Sequence, residues 1–244
     1  MTDKSVLAAV SNNAVWCDTV CRAHGRPGEF LDAIWLNRQE TPPFYPNAVT
    51  LSPKETATQL AHIERLLAAG IPGEWGVKDS FRTLDLAPLG FEIVFQGQWI
   101  YRDAAAPRPD VAHLPDVRWT TVTREAELAR WEQAWHGHEP GSRRIFLPAL
   151  LAEPAITIIA GLRGPQIVAG AIASHSRNVT GVSNLFLPPA QTMAFRAGCL
   201  AAIAGRFPDR PLVGYEGGND LAEMHTLGFT ATGPVRIWVR SRAS

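Results

Sequence analysis

The first well-marked pattern along the chain is Ser52-Pro53-Lys54-Glu55, which joins a capping serine, a proline at the first helical position and a glutamate three residues after the cap. Leu60, Ile63 and Leu67 then recur on one face up to Gly70, a residue suited to a left-handed end, so a helix is predicted from Pro53 to that glycine. Ile34–Arg38, Ala48–Leu51 and Glu74–Lys78 read as strands, and Phe91–Arg102 as a strand pair bent at Gln96-Gly97. Residues 103–116 are rich in Ala and Pro and read as a linker. Val117–Val122 is then a strand, and Thr123 caps a helix whose Leu128, Trp131 and Trp135 share a face and which Gly137 ends. Ala155–Leu162 and Gln166–Ser174 form a hairpin across Arg163-Gly164-Pro165, followed by a third strand, Val179–Leu187. Pro188-Pro189 opens a helix with Met193, Ala197, Leu200, Ile203 and Ala204 inward, ending at Gly205. Leu212–Glu216 is a short strand, Asp220–Thr226 a short helix, and Phe229–Arg240 carries strands.

The chain also matches itself at a shift of 138 residues: Gly76 falls on Gly214, Leu89-Gly90-Phe91 on Leu227-Gly228-Phe229, and Arg102 on Arg240. At the same shift Lys78 meets Glu216 and Arg82 meets Asp220, so charge is inverted at both places. Two equivalent grooves of this kind cannot hold the same ligand chemistry; the alternative is that all four are solvated surface charges.

Composition narrows the function. Lys plus Arg and Asp plus Glu are both 23, and a net charge of zero leaves no basic excess for a phosphate backbone, which argues against nucleic acid as the main partner. No apolar run approaches the roughly 20 residues that cross a bilayer, and no secretory signal is evident, so the expected location is the cytoplasm. The three cysteines, Cys17, Cys21 and Cys199, are an odd number that argues against a disulfide framework. Cys17 and Cys21 lie one helical turn apart and read as small buried apolar residues. His136-Gly137-His138-Glu139 has metal-ligand residue types but no partner motif, so no metal is expected.

The order strand, helix, paired strands, strand into helix, strand, short helix and a Leu-Gly-Phe corner resembles the GNAT superfamily of N-acyltransferases. Residues 117–240 cover that order in full, and residues 30–102 resemble its second half. The resemblance implies an α/β (α+β) fold, a mixed sheet flanked by helices, present as a partial N-terminal copy (1–102), a linker (103–116) and a full C-terminal copy (117–244). It leaves open whether the two sheets join within one chain or across a homodimer.

The resemblance also implies acetyl-CoA or another acyl-CoA as co-substrate and a small-molecule amine as acceptor. The acyl-CoA would lie between two splayed strands, Val179–Leu187 and Leu212–Glu216. Its pantetheine arm would meet Leu185, Phe186 and Leu187, and its pyrophosphate the helix start, with Gln191, Thr192 and Arg196 as candidates. The family's glycine-rich phosphate loop is missing from Pro188–Arg196, and Met224 stands where members often place an acidic Tyr.

Direct transfer to an amine needs a base, an acid and placement. Glu216, at a strand end, is a candidate base, and Tyr215 beside it a candidate acid. His175, with Ser174 and Ser176 around it, is a second candidate base or else a loop residue. Asn184, where some members carry a catalytic Glu, could orient substrate, as could Asn219 and Asp220, whose other reading is turn chemistry and capping. Trp35, Phe44, Tyr45 and Trp75 read as core, or as the lining of an apolar pocket. The rival reading of the whole chain is a GNAT-like domain that binds a small molecule or protein without catalysis.

Overall fold

The computed structural model describes residues 4–107, 109, 116–136, 143–190 and 192–241. In chain order the elements are α1 (Lys4–Ala23), β1 (Glu29–Phe30), β2 (Ile34–Leu36), β3 (Ala48–Thr50), α2 (Thr56–Ala68), β4 (Trp75–Asp79), β5 (Glu92–Arg102) and β6 (Val117–Thr121). They continue with α3 (Glu125–His136), β7 (Ile156–Arg163), β8 (Gln166–Ser176), β9 (Val179–Phe186), α4 (Thr192–Arg206), β10 (Leu212–Glu216), α5 (Gly218–Thr226) and β11 (Thr230–Arg240). The fold is a mixed α/β one, with mixed sheets flanked by helices.

Two compact units share these elements: Met1–Ile100 with Tyr215–Leu221 and Ala231–Ser244, and Tyr101–Gly214 with Ala222–Thr230. In the first unit β1, β2 and β3 run antiparallel in turn, β3 and β4 are parallel, and β11 is antiparallel to β4. Ile34, Leu36, Val77 and Trp238 of this sheet pack with Ile63 and Leu66 of α2. All of Trp35, Tyr45 and Trp75 are buried, whereas Phe44 is 70% exposed, so three of the four N-terminal rings serve the core.

In the second unit β6, β7, β8 and β9 form an antiparallel meander, and β10 lies parallel to β9. Ala169 packs on Phe195 of α4, while a side chain on Gly170 would strike Trp131 of α3, and consecutive strand residues point to opposite faces. The two helices therefore cover opposite faces. Trp131 is fully buried, and hiding an indole of ~200 Å² is worth about 5 kcal/mol before entropy is counted. Its Nε1 donates to Ile159 O at 2.8 Å, so the polar end of the ring is satisfied as well.

The Leu-Gly-Phe corners agree bond for bond. Gly90 N donates to Ala87 O and Phe91 N to Leu86 O, while Gly228 N donates to His225 O and Phe229 N to Met224 O. Gly90 has φ 80° and Gly228 φ 85°, both left-handed. A Cβ on Gly90 would lie 3.4 Å from Arg240 Nε, and one on Gly228 3.5 Å from Arg102 Nε.

Three local expectations change. Helix α2 begins at Thr56 and not at Pro53, because Ser52 O is held by Gln59 Nε2 and the Ser52 hydroxyl accepts from Lys54 N in a turn. Phe91–Arg102 is not a bent pair but one unbroken strand, β5, and β11 is likewise single. Gly97 lets backbones meet where a bend was expected: a Cβ there would stand 2.4 Å from Glu216 O.

Because both corners demand a left-handed residue, Gly90→Ala and Gly228→Ala should each cost about 1–2 kcal/mol in urea denaturation. A loss confined to one of them would break the equivalence.

Candidate functional site

The second unit's parallel ladder is short. Leu212 pairs with Thr180 and Val213 with Gly181, and β9 runs on to Phe186 alongside β8. The cause lies in β9 itself. Ile172 faces Ser183 and Gly170 faces Phe186, so Asn184 and Leu185 together oppose the single residue Ala171, a β-bulge. Asn184 takes φ 51°, which Asn tolerates better than other non-glycine residues. Residues 182–186 are partly exposed, in contrast to the buried Val179–Gly181. Asn184 is thus the residue that turns the strand. The Phe186 ring packs on Trp131 at 5.2 Å between centroids, and Leu187 packs against the Phe195 cluster.

In the first unit, β10 ends in Tyr215 and Glu216, both half-buried. Tyr215 lies between Phe95 and Trp99, with ring centroids at 5.5 and 5.4 Å. Its hydroxyl accepts a hydrogen bond from Lys78 Nζ at 3.3 Å. Lys78 is only 4% exposed, so the solvated-charge alternative fails for it; Arg82 is exposed, at φ 55°. Burial works against the Lys78 ammonium, but coupling to Tyr215 and Cys17 outweighs it and moves its pKa upward. Burial pushes the Cys17 thiol up, against a smaller opposing effect of Lys78. Alternating strand residues leave Tyr215 and Glu216 on opposite faces of β10. Asn219 and Asp220 are exposed in the first turn of α5, after Gly218 at φ 55°.

The sequence matches no protein-family profile and no curated protein. Solved structures do match. A GCN5-related N-acetyltransferase from Kribbella flavida aligns with TM-score 0.64 and 16% identity over 97% of this chain and 96% of its own. One from Sphaerobacter thermophilus aligns at 0.55 and 10% over 98% and 94%. A tandem GNAT protein from the clavulanic acid biosynthesis pathway aligns at 0.51 and 10% over 86% and 79%.

The chain has the GNAT fold.

The start of α4, where the GNAT resemblance puts pyrophosphate, is occupied by a carboxylate. Thr192 Oγ1 donates to Glu223 Oε1 at 3.2 Å and Arg196 Nε to Glu223 Oε2 at 2.9 Å, and Arg196 is 4% exposed. Glu223 of α5 thus engages two of the three candidate phosphate ligands; the third, Gln191, lies outside the described residues. Gly198 serves packing, since a Cβ there would sit 2.7 Å from the Trp119 ring. Beside this helix a cavity of about 620 Å³ is lined by Met193, Ala194, Ala197, Thr226 and the Arg102 side chain. Gly137, His138 and Glu139 fall outside the described residues, and among those described no helix is long and apolar enough to cross a membrane.

His175 stands apart from the bulge. It pairs with Thr180 at the hairpin end of β9, about 16 Å along the strand from Leu185 at ~3.3 Å per residue. Its ring lies against Phe207, and among the described residues Nδ1 has no partner. Glu223 and Lys78 escaped the sequence reading as site residues. The second had a signal: a lysine inside Trp75–Asp79, a strand short on polar residues, has nowhere exposed to go.

Asn184→Val should lose about 1–2 kcal/mol more than Asn184→Gly in chemical denaturation, because valine at positive φ is strained; equal effects would contradict the bulge's role. Burial and then Arg210 hold the His175 pKa below its usual 6.5, so the unfolded chain binds this proton more readily than the folded one. The associated stability is present above about pH 6.5 and is lost as pH falls through the lowered folded value. His175→Gln should flatten the stability curve below that pH.

Proposed function

We propose that the chain is an acyl-CoA-dependent N-acyltransferase that passes an acyl group directly to a small amine. The observation that carries this reading is the bulge at Asn184, which shifts the register of β9 against β8 where residues 182–186 become partly exposed. An extended arm with amide groups, such as pantetheine, can pair with strand backbone within reach of solvent. The backbone at Leu185, Phe186 and Leu187 suits it. The parallel pair of the first unit offers no such stretch, because β3 and β4 are buried throughout and Ser80 N is taken by Thr50 Oγ1 at 2.8 Å. That contrast supports assigning transfer to the C-terminal copy.

In this reading Glu216 is the candidate base for the proton released by the amine, with Asn219 and Asp220 as candidates to hold the acceptor, and Tyr215, on the opposite face of β10 between Phe95 and Trp99, takes no step in it. As the C–N bond forms, the C–S bond breaks with its electron pair on sulfur, which takes its proton from solvent water. His175 has no role in it. Glu223 favours the second reading, a GNAT-like binding domain without catalysis, since its carboxylate repels phosphate at the start of α4.

Isothermal titration with acetyl-CoA decides between them. Heat of binding is expected, and silence at high concentration with folded protein contradicts the transferase. Glu216→Gln should then lower turnover about 100-fold while acetyl-CoA affinity stays within about twofold; unchanged turnover removes Glu216 as base.

A further inference from the structure

Arg102 has no part in the reading above, yet its side chain forms a wall of the cavity beside α4 and is only 3% exposed. Its Nε donates to Leu227 O at 2.9 Å, and its Nη2 donates to Ala106 O at 3.4 Å and to Pro107 O. All three partners are carbonyl oxygens. Among the described residues no carboxylate pairs with the guanidinium, and Nη1 donates to none of them. Asp103, next in the chain, spends Oδ1 on Ala105 N at 2.8 Å. A buried cation without an anion is left with its lost hydration uncompensated, and burial alone draws the Arg102 pKa below the ordinary arginine value.

The N-terminal copy shows that the corner does not require this burial. Arg240 holds the equivalent place beside Gly90, where it is half-buried and its side chain makes no hydrogen bond among the described residues. The Gly90 corner nevertheless keeps the same backbone bonds as the Gly228 corner. What differs at Arg102 is the cavity in front of it. Met193 and Ala197, one helical turn apart, place that cavity along the flank of α4, whereas Thr192 and Arg196 are turned to Glu223. Thr226, the other polar side chain in the wall, already donates its hydroxyl proton to Glu223 O at 2.7 Å. Among the described lining residues, Arg102 Nη1 is therefore the side-chain donor left for a ligand.

We propose that this cavity is a binding site for a monocarboxylate with an apolar body, the carboxylate meeting Arg102 Nη1 and the body lying against Met193 and Ala197. A single charge matches a single cation, whereas a phosphate would bring further charge and further oxygens for which the described lining has no second cation. Met193 gives the site a pliable wall, and a cavity of about 620 Å³ has the size of a small-molecule pocket. The site lies wholly within the second unit and does not depend on whether the chain transfers acyl groups.

Octanoate and 4-phenylbutyrate are the probes, octanol is the uncharged counterpart, and calorimetry on the whole chain is the measurement. At least one of the two acids should bind at a single site, with octanol at least about tenfold weaker than octanoate. Arg102→Gln should weaken the acid about tenfold or more and leave octanol as it was. Because Arg102 also holds Leu227 O, a second variant keeps the guanidinium: Thr226→Trp, at an exposed position of the wall, should fold normally and obstruct the acid. In protein labelled with ¹⁵N-arginine, the side-chain signal lost in Arg102→Gln should be the one that the acid shifts. Failure of both acids to bind, equal affinity for octanoate and octanol, or binding that neither substitution weakens overturns the proposal. Preference for inorganic phosphate, or displacement of the acid by acetyl-CoA, also overturns it, by making the cavity part of an acyl-CoA site. Titration of acetyl-CoA alone tests the transfer reading separately, so the two failures are distinct.

Discussion

One backbone conformation organises the second unit. Asn184 in the left-handed region adds a residue to β9 that β8 does not match, and from Val182 to Phe186 the strand is partly exposed. Strand backbone within reach of solvent can pair with water or with a ligand. The packing on either side holds the strand in that state, with Phe186 against Trp131 of α3 and Leu187 against the Phe195 cluster of α4. The strand cannot slide back into register without emptying both helix contacts.

Much of this architecture was legible in the residue pattern, because the rules it uses are local. Arg163-Gly164-Pro165 marks its hairpin, with Gly164 at φ 57°. The Leu-Gly-Phe corners announce left-handed glycines, and the alternation of β7 and β8 announces a meander. The misreadings came where tertiary contacts override local preference. Gln96-Gly97 resembles a bend, but β5 stays straight, and Gly97 admits the Glu216 backbone instead. Ser52-Pro53 has the residues of a helix start, but Gln59 reaches back to Ser52 O and delays α2 to Thr56.

The site was less legible, since its residues act through partners far away in sequence. Asn184 stood out as a residue that could orient substrate, and the fold adds that it takes the left-handed conformation at the bulge. Arg196 was a candidate phosphate contact, and only the fold reveals that Glu223, on the next helix, pairs with it. Lys78 and Glu216 stood out as an inversion of charge, but whether either was solvated depended on burial that no local pattern encodes. Both units keep the same corner and a parallel strand pair, and they differ in what fills the space next to it: buried β3 and β4 in one, a bulged, partly exposed β9 in the other.

The claim on which the account turns is that the partly exposed stretch of β9 after the bulge receives an extended ligand arm. Amide hydrogen exchange of the segment 182–187 with and without saturating acetyl-CoA measures this directly. The account predicts fast exchange at these amides of the free protein and marked slowing on binding, while the hairpin end near Thr180 stays as it was. Equal exchange in both states, or protection confined to the hairpin end, would contradict it.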